Sequence, residues 1–256
     1  MRINIPKDHP RAESLRIREK LEEGFEKGLV ASAGLIAHGR GEAFDYLLGE
    51  RTIPPASQAI RAAAAMLLTA ENPVVSVNGN TAALVADEIV RISKSAKAKI
   101  EVNLFYRSTE REIKIKDRLE KAGASNVLGV SREADARIPE LGSERRCVDS
   151  RGIYTADVVV IPLEDGDRTE ALSKMGKKTI AVDLNPLSRT SQKASITIVD
   201  NIARAFPKLA ENIKELKGKS DLELERIWKE FDNIKNLKKC VEIIDKRLIR
   251  MAKEAN

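Results

Sequence analysis

Two stretches decide the fold: residues 73–80, PVVSVNGN, and residues 156–163, ADVVVIPL. Each is a short apolar run that ends in polar residues and leads toward a helical pattern. Neither alternates apolar with polar, so each reads as a strand buried on both faces, the habit of a parallel sheet covered by helices. The same unit recurs outward from them. A helix is predicted over 81–97, a strand in AKIEVNLF (98–105), a charged helix over 108–122 closed by Gly123, and a strand in NVLGV (126–130). A charged, irregular stretch covers 131–150. Beyond ADVVVIPL come a helix from Asp167 to Met175, the strand KKTIAVDL (177–184), and the strand SITIVD (195–200) leading into a helix at Asn201. The alternation predicts a Rossmann-like α/β fold, a mostly parallel sheet with helices on both faces.

Helices flank this core on both sides. Asp8 as N-cap and Pro10 in the first turn predict a helix from Pro10 to Lys27, with Gly28 as its stop. Gly34, Gly39, Gly41 and Gly49 predict an irregular glycine-rich loop. Pro54 and Pro55 open an alanine-rich helix through Leu68 that should pack closely on a neighbour. Beyond Pro207 the chain reads as helical, with Ser220 and Asp221 starting one helix and LKKCVEIIDKRLIRMA (237–252) forming the last. Its stripe of Leu237, Val241, Ile244, Leu248 and Met251 demands cover, from the domain or from a second subunit. The organisation expected is N-terminal helices and glycine-rich loop (1–72), α/β core (73–207) and C-terminal helices (208–256), together one compact domain.

The 256 residues carry 45 Lys+Arg against 39 Asp+Glu, a net charge of +6. That excess is diffuse: 13 basic against 10 acidic residues from Lys208 onward, and 32 against 29 before it. With 4% aromatics there is little to stack bases on, so no nucleic-acid partner is expected. No apolar run approaches the roughly 18 residues of a membrane span and no signal peptide is evident, so a cytoplasmic protein without a membrane partner is expected. Cys147 and Cys240 lie apart without metal-ligand spacing, so no resident metal site is expected from them. Only two glutamines, Gln58 and Gln192, accompany the dense Lys and Glu, a bias of proteins from hot environments.

In an open parallel sheet, ligands bind beyond the carboxyl ends of the strands. After the first strand come Asn78, Gly79, Asn80 and Thr81 at a helix start, suited to a phosphate or carboxylate, or to a turn plus cap. The next strand contains Asn103 and delivers Tyr106 and Arg107 to the same rim. After residue 163 come Glu164, Asp165 and Asp167 around a glycine, a cluster for Mg²⁺, an ammonium or a ribose. Asp183, Leu184 and Asn185, followed by Arg189 and Thr190, suit ribose hydroxyls and phosphate. Asp200 and Asn201 form another polar pair at a helix start. In His38-Gly39-Arg40-Gly41-Glu42 neither a P-loop nor a dinucleotide fingerprint is complete. Arg40 there suits a phosphate, whereas a lone histidine such as His38 is more often structural.

The strings IPKDHPRAESL, AGLIAHGRGEAFDYLLGERT, VVSVNGN, EVNLFYR, DVVVIPLEDGDRTEAL, VDLNPLSRTS and ITIVDNI resemble the archaeal 4-phosphopantoate beta-alanine ligases, also called phosphopantothenate synthetases. The resemblance implies condensation of 4-phosphopantoate with beta-alanine at the expense of ATP, releasing AMP and diphosphate through an acyl-adenylate, in a homodimer. It assigns Arg18, Arg40, Asp183, Leu184, Asn185, Arg189, Thr190, Asp200 and Asn201 to ATP. Beyond the resemblance, Asn78, Asn80, Asn103 and Arg107 are expected to hold phosphopantoate. Glu164, Asp165 and Asp167 would orient Mg²⁺ or the ammonium, with His38, Glu42 and Asp165 as catalytic candidates. A small-molecule kinase, releasing ADP, and a nucleotide-binding protein without turnover are the competing readings.

Overall fold

The computed structural model describes residues 6, 8, 9, 11–131, 134–139, 141–163 and 166–254; Pro10, Glu164 and Asp165 lie outside them. Six strands form one sheet: β1 (Pro73–Val77), β2 (Lys99–Val102), β3 (Val127–Leu128), β6 (Val158–Pro162), β7 (Lys178–Val182) and β8 (Ile196–Ile198). Every pairing is parallel, in the order β3-β2-β1-β6-β7-β8. Residues of β1 and β6 are buried throughout, as their unbroken Val and Ile runs require. The strand order reverses between β1 and β6, and such a switch point opens a crevice beyond the strand ends. A separate antiparallel pair, β4 (Ala136–Arg137) with β5 (Cys147–Val148), lies in the stretch expected to be irregular.

Helices cover both faces. α4 (Gly79–Ala96) follows β1, α5 (Thr109–Lys121) follows β2, α6 (Gly166–Lys174) follows β6, and the short α7 (Arg189–Lys193) follows β7. Asn78 caps α4 and Ser108 caps α5 with side-chain oxygens. α3 (Pro54–Leu68) packs against α8 (Ile202–Leu216), and its alanines 62 to 65 are almost wholly buried. Small side chains there let two helices approach, which explains the alanine run. A capping box of Ser220 and Glu223 starts α9 (Asp221–Lys229).

Two expectations are corrected. α1 (Ala12–Glu26) has Arg11 at its N-cap position with no side-chain cap, so Asp8 does not cap it. The glycine-rich segment is a helix, α2 (Ser32–Leu48), ended by Gly49 at φ 92°. Packing explains Gly34, where a Cβ would clash with the Asn80 side chain; a Cβ on Gly41 would make only ordinary contact with Leu184, and one on Gly39 would meet nothing. In α10 (Asn233–Glu254) the chain itself covers only the beginning of the apolar stripe. Leu237 is buried and Ile244 half-buried, but Val241, Leu248 and Met251 are 37%, 47% and 48% exposed.

Candidate active site

A cleft of about 490 Å³ opens at the carboxyl ends of β1, β6 and β7, with α2 as one wall. Its floor is fixed at the switch point. The Asn78 amide donates to the Pro162 carbonyl at 3.1 Å while its oxygen accepts from the backbone and hydroxyl of Thr81. Asn80 donates to the Gly34 carbonyl at 2.8 Å, holding α2 against the start of α4. Both asparagines line the cleft, but their side chains already serve its construction.

The β7 end gathers most residues assigned to the nucleotide. Asp183, Leu184, Asn185, Arg189 and Thr190 line the cleft, and Arg40 reaches it from α2. Burial pushes the Asp183 carboxyl above the usual range. Hydrogen bonds from the Ser188 hydroxyl and the Asn185 N–H, with the nearby Arg40 charge, favour its ionised form. Arg189 is ion-paired with Asp167 and with Glu170, which ties the start of α7 to α6. Asp167 is thereby held in an exposed ion pair. Among the described residues Arg40 has no carboxylate in ion-pair contact.

His38 also lines the cleft; it is 7% exposed and its Nε2 is buried without a partner. Burial lowers its pKa more than the Glu42 charge raises it, so the imidazole is neutral and keeps a lone pair. Glu42, one turn on, lies behind this wall and accepts from Arg18 Nε at 3.2 Å through both oxygens. Arg18 Nη2 is 3.1 Å from the same carboxylate, a fork that raises the arginine's pKa.

Asp200 and Asn201 do not line the cleft. Asp200 accepts from Thr52 at 2.6 Å and from Arg204 at 2.9 Å, while the Asn201 amide donates to Asp45 at 3.2 Å. Asn103 and Arg107 are likewise outside its walls. Both donate to the Cys147 carbonyl at 3.0 Å, and Arg107 also donates to Gly129 and pairs with Glu112. Their common effect is to fix the segment that carries Arg145 into the cleft. Two lining cations, Arg111 and Arg145, escape sequence reasoning because each sits in a charged run without a motif. Arg111 follows a strand end in the first turn of α5, and that position was the signal available.

The family described as phosphopantothenate/pantothenate synthetase matches residues 55–247. This chain belongs to it. Within the phosphopantothenate/pantothenate synthetase family, a relative from Thermococcus kodakarensis is 56% identical over 253 residues, covering 98% of this chain and 96% of its own. One from Methanosarcina mazei is 50% identical over 251 residues, covering 98% of each chain. A third, from Methanospirillum hungatei, is 45% identical over 247 residues. All three are named 4-phosphopantoate–beta-alanine ligase. The near-complete alignments take in α1 and α2, so the helices that supply Arg18, His38 and Arg40 belong to the length shared with these synthetases.

Proposed function

We propose that this protein is a 4-phosphopantoate–beta-alanine ligase that forms 4'-phosphopantothenate for coenzyme A, with ATP as the source of free energy. The observation that carries the reading is the cleft at the switch point: guanidinium groups from two different walls, Arg40 and Arg111, face it without carboxylate partners among the described residues. Two separated cationic positions suit two phosphorylated substrates held together.

A free carboxylate is a poor acyl donor, so the first step activates it. The carboxylate oxygen of phosphopantoate bonds to the α-phosphorus of ATP, and the bond to diphosphate breaks. The ammonium of beta-alanine first gives up one proton to become the amine, which then bonds to the acyl carbon; AMP leaves with the original carboxylate oxygen, and a second proton departs from nitrogen. In this scheme Arg40, Asp183, Leu184, Asn185, Arg189 and Thr190 hold the nucleotide. Asp200 and Asn201 act from the network behind it. Neutral His38 takes the ammonium proton, since its imidazole lines the cleft and has no hydrogen-bond partner among the described residues. Glu42, committed to Arg18, orients the α2 wall rather than moving protons.

The described carboxylates do not build a Mg²⁺ cage: Asp167 is paired with Arg189, and no cluster of three metal-ligating side chains occurs among the described residues. Mg²⁺ is taken as the counter-ion that the triphosphate brings with it, and no step is routed through it. Among the described residues no helix is long and apolar enough to cross a membrane. A cytoplasmic homodimer, joined through the exposed part of α10, completes the reading.

Incubation with ATP, Mg²⁺, 4-phosphopantoate and beta-alanine should yield AMP, diphosphate and the amide. ADP as the nucleotide product would overturn the ligase in favour of a kinase.

A further inference from the structure

Arg111 is a half-buried cation in the wall of the cleft. Its guanidinium Nη1 donates to the Tyr106 carbonyl at 2.5 Å and Nη2 to the Leu29 carbonyl at 3.2 Å. Nε is buried without a partner. Arg107 and Arg204, the comparably buried arginines nearest in kind, have carboxylates at 2.5 Å, from Glu112 and Asp45. Arg111 has none among the described residues, and burial is the cause of its lowered pKa. A desolvated cation without a counter-charge is costly, and an anion in the cleft would relieve that cost.

The surroundings point the same way. A Cβ on Gly79 would lie 3.2 Å from Arg111 Nη2, so the guanidinium sits against the first residue of α4. That helix has 18 residues, and the N–H groups of Gly79 and Asn80 have no acceptor among the described residues, while Thr81 N is taken by Asn78. Gly79, Asn80 and Arg111 all line the cleft. Two free N–H groups, the positive end of a helix and a guanidinium make a site for a compact dianion.

The residues assigned to the nucleotide cluster at β7, whereas α5 follows β2. Three strand spacings separate β2 from β7 in the sheet order, roughly 14 Å at about 4.8 Å each. We propose that Arg111 and the first turn of α4 bind the phosphomonoester of the phosphorylated acid, and that Arg111 is the residue by which the enzyme selects phosphopantoate over pantoate. The inference rests on the ligase reading above.

Arg111→Gln and Arg111→Lys test it, with KM and kcat measured separately for ATP and for phosphopantoate. The Gln variant should raise the KM for phosphopantoate on the order of 10–100-fold with little change in the KM for ATP, and the preference over pantoate should fall by a similar factor. Arg111→Lys should recover part of that loss. A Gln variant with unchanged KM for phosphopantoate, or with the increase confined to ATP, overturns the assignment. If the variants fail to fold, amide resonances of Gly79 and Asn80 in the wild-type protein decide: titration with phosphopantoate should shift them and pantoate should not, and the absence of any shift overturns the site. Wild-type protein that forms no AMP would instead count against the ligase reading, and the two failures are distinguishable.

Discussion

The Asn78 side chain joins β1 to β6 by donating to the carbonyl of Pro162 at 3.1 Å. The same side chain caps α4 through Thr81, so one residue sets both the floor of the cleft and the direction of the helix that faces it. Asn78→Ala should destabilise the protein by about 1–2 kcal/mol, the sum expected for a lost cap and a lost neutral hydrogen bond. Asn78→Asp keeps the cap but places a negative charge beside the proposed phosphate site. It also loses the donor to the Pro162 carbonyl, so it should be destabilised in denaturant unfolding as well, and it should raise the KM for phosphopantoate more than Asn78→Ala does. Equal kinetics in wild type and Asn78→Asp would remove the α4 terminus from the substrate site.

His38 gives the reaction a pH signature. Burial lowers its pKa below the ordinary 6.5, so the base form dominates at neutral pH and is lost only as the medium becomes acidic. Activity should therefore be flat around neutrality and fall only at pH values below the ordinary histidine range. His38→Gln should lower kcat on the order of 10²–10⁴-fold, the range of a lost general base, and abolish that acidic limb. A variant that keeps the limb would show that another group titrates.

A buried carboxyl away from the cleft makes stability depend on pH. Glu101 is fully buried, accepts the N–H groups of Asp149 at 3.0 Å and Ile153 at 2.6 Å, and has its pKa pushed up to about 7, chiefly by burial. The folded state holds a proton that the unfolded chain releases near 4.5. This contribution is complete below pH 4.5 and is lost as pH rises through about 7, a change of about 3 kcal/mol. Unfolding free energies at pH 5 and pH 8 should differ in that direction, and Glu101→Gln should flatten the difference. Unchanged pH dependence in the variant would assign it to other groups.

On α10, Val241, Leu248, Ile249 and Met251 are each more than a third exposed along one face. If a second copy covers them, Leu248→Glu with Met251→Glu should convert a dimer into a monomer in sedimentation or light scattering without unfolding the chain. A wild-type protein that sediments as a monomer would remove the dimer from the account.

The sheet was legible because Val and Ile runs such as 158–161 have no other economical environment than a doubly covered parallel strand. The β7 end of the cleft was legible for a related reason: polar residues directly after a buried strand must face the rim. α2 was not, because Gly34, Gly39 and Gly41 look like helix breakers in one dimension, whereas the fold seats the Asn80 side chain against Gly34 and leaves no room there for a Cβ. Arg107 and Arg111 could not be ranked from sequence either. Arg107 follows the strand more closely, yet Glu112 and the Cys147 carbonyl occupy it. Which arginine in a chain this rich in charge lacks a counter-ion is decided by the tertiary fold.

The proposed ligase activates a phosphorylated acid with ATP and delivers it to an amine within one cleft. Nucleotide products should be measured with 4-phosphopantoate and beta-alanine both present, with pantoate replacing phosphopantoate as control. AMP and diphosphate formed in step with the amide, and far more slowly from pantoate, is the result predicted. ADP as the product, or pantoate used as well as its phosphate ester, would contradict it.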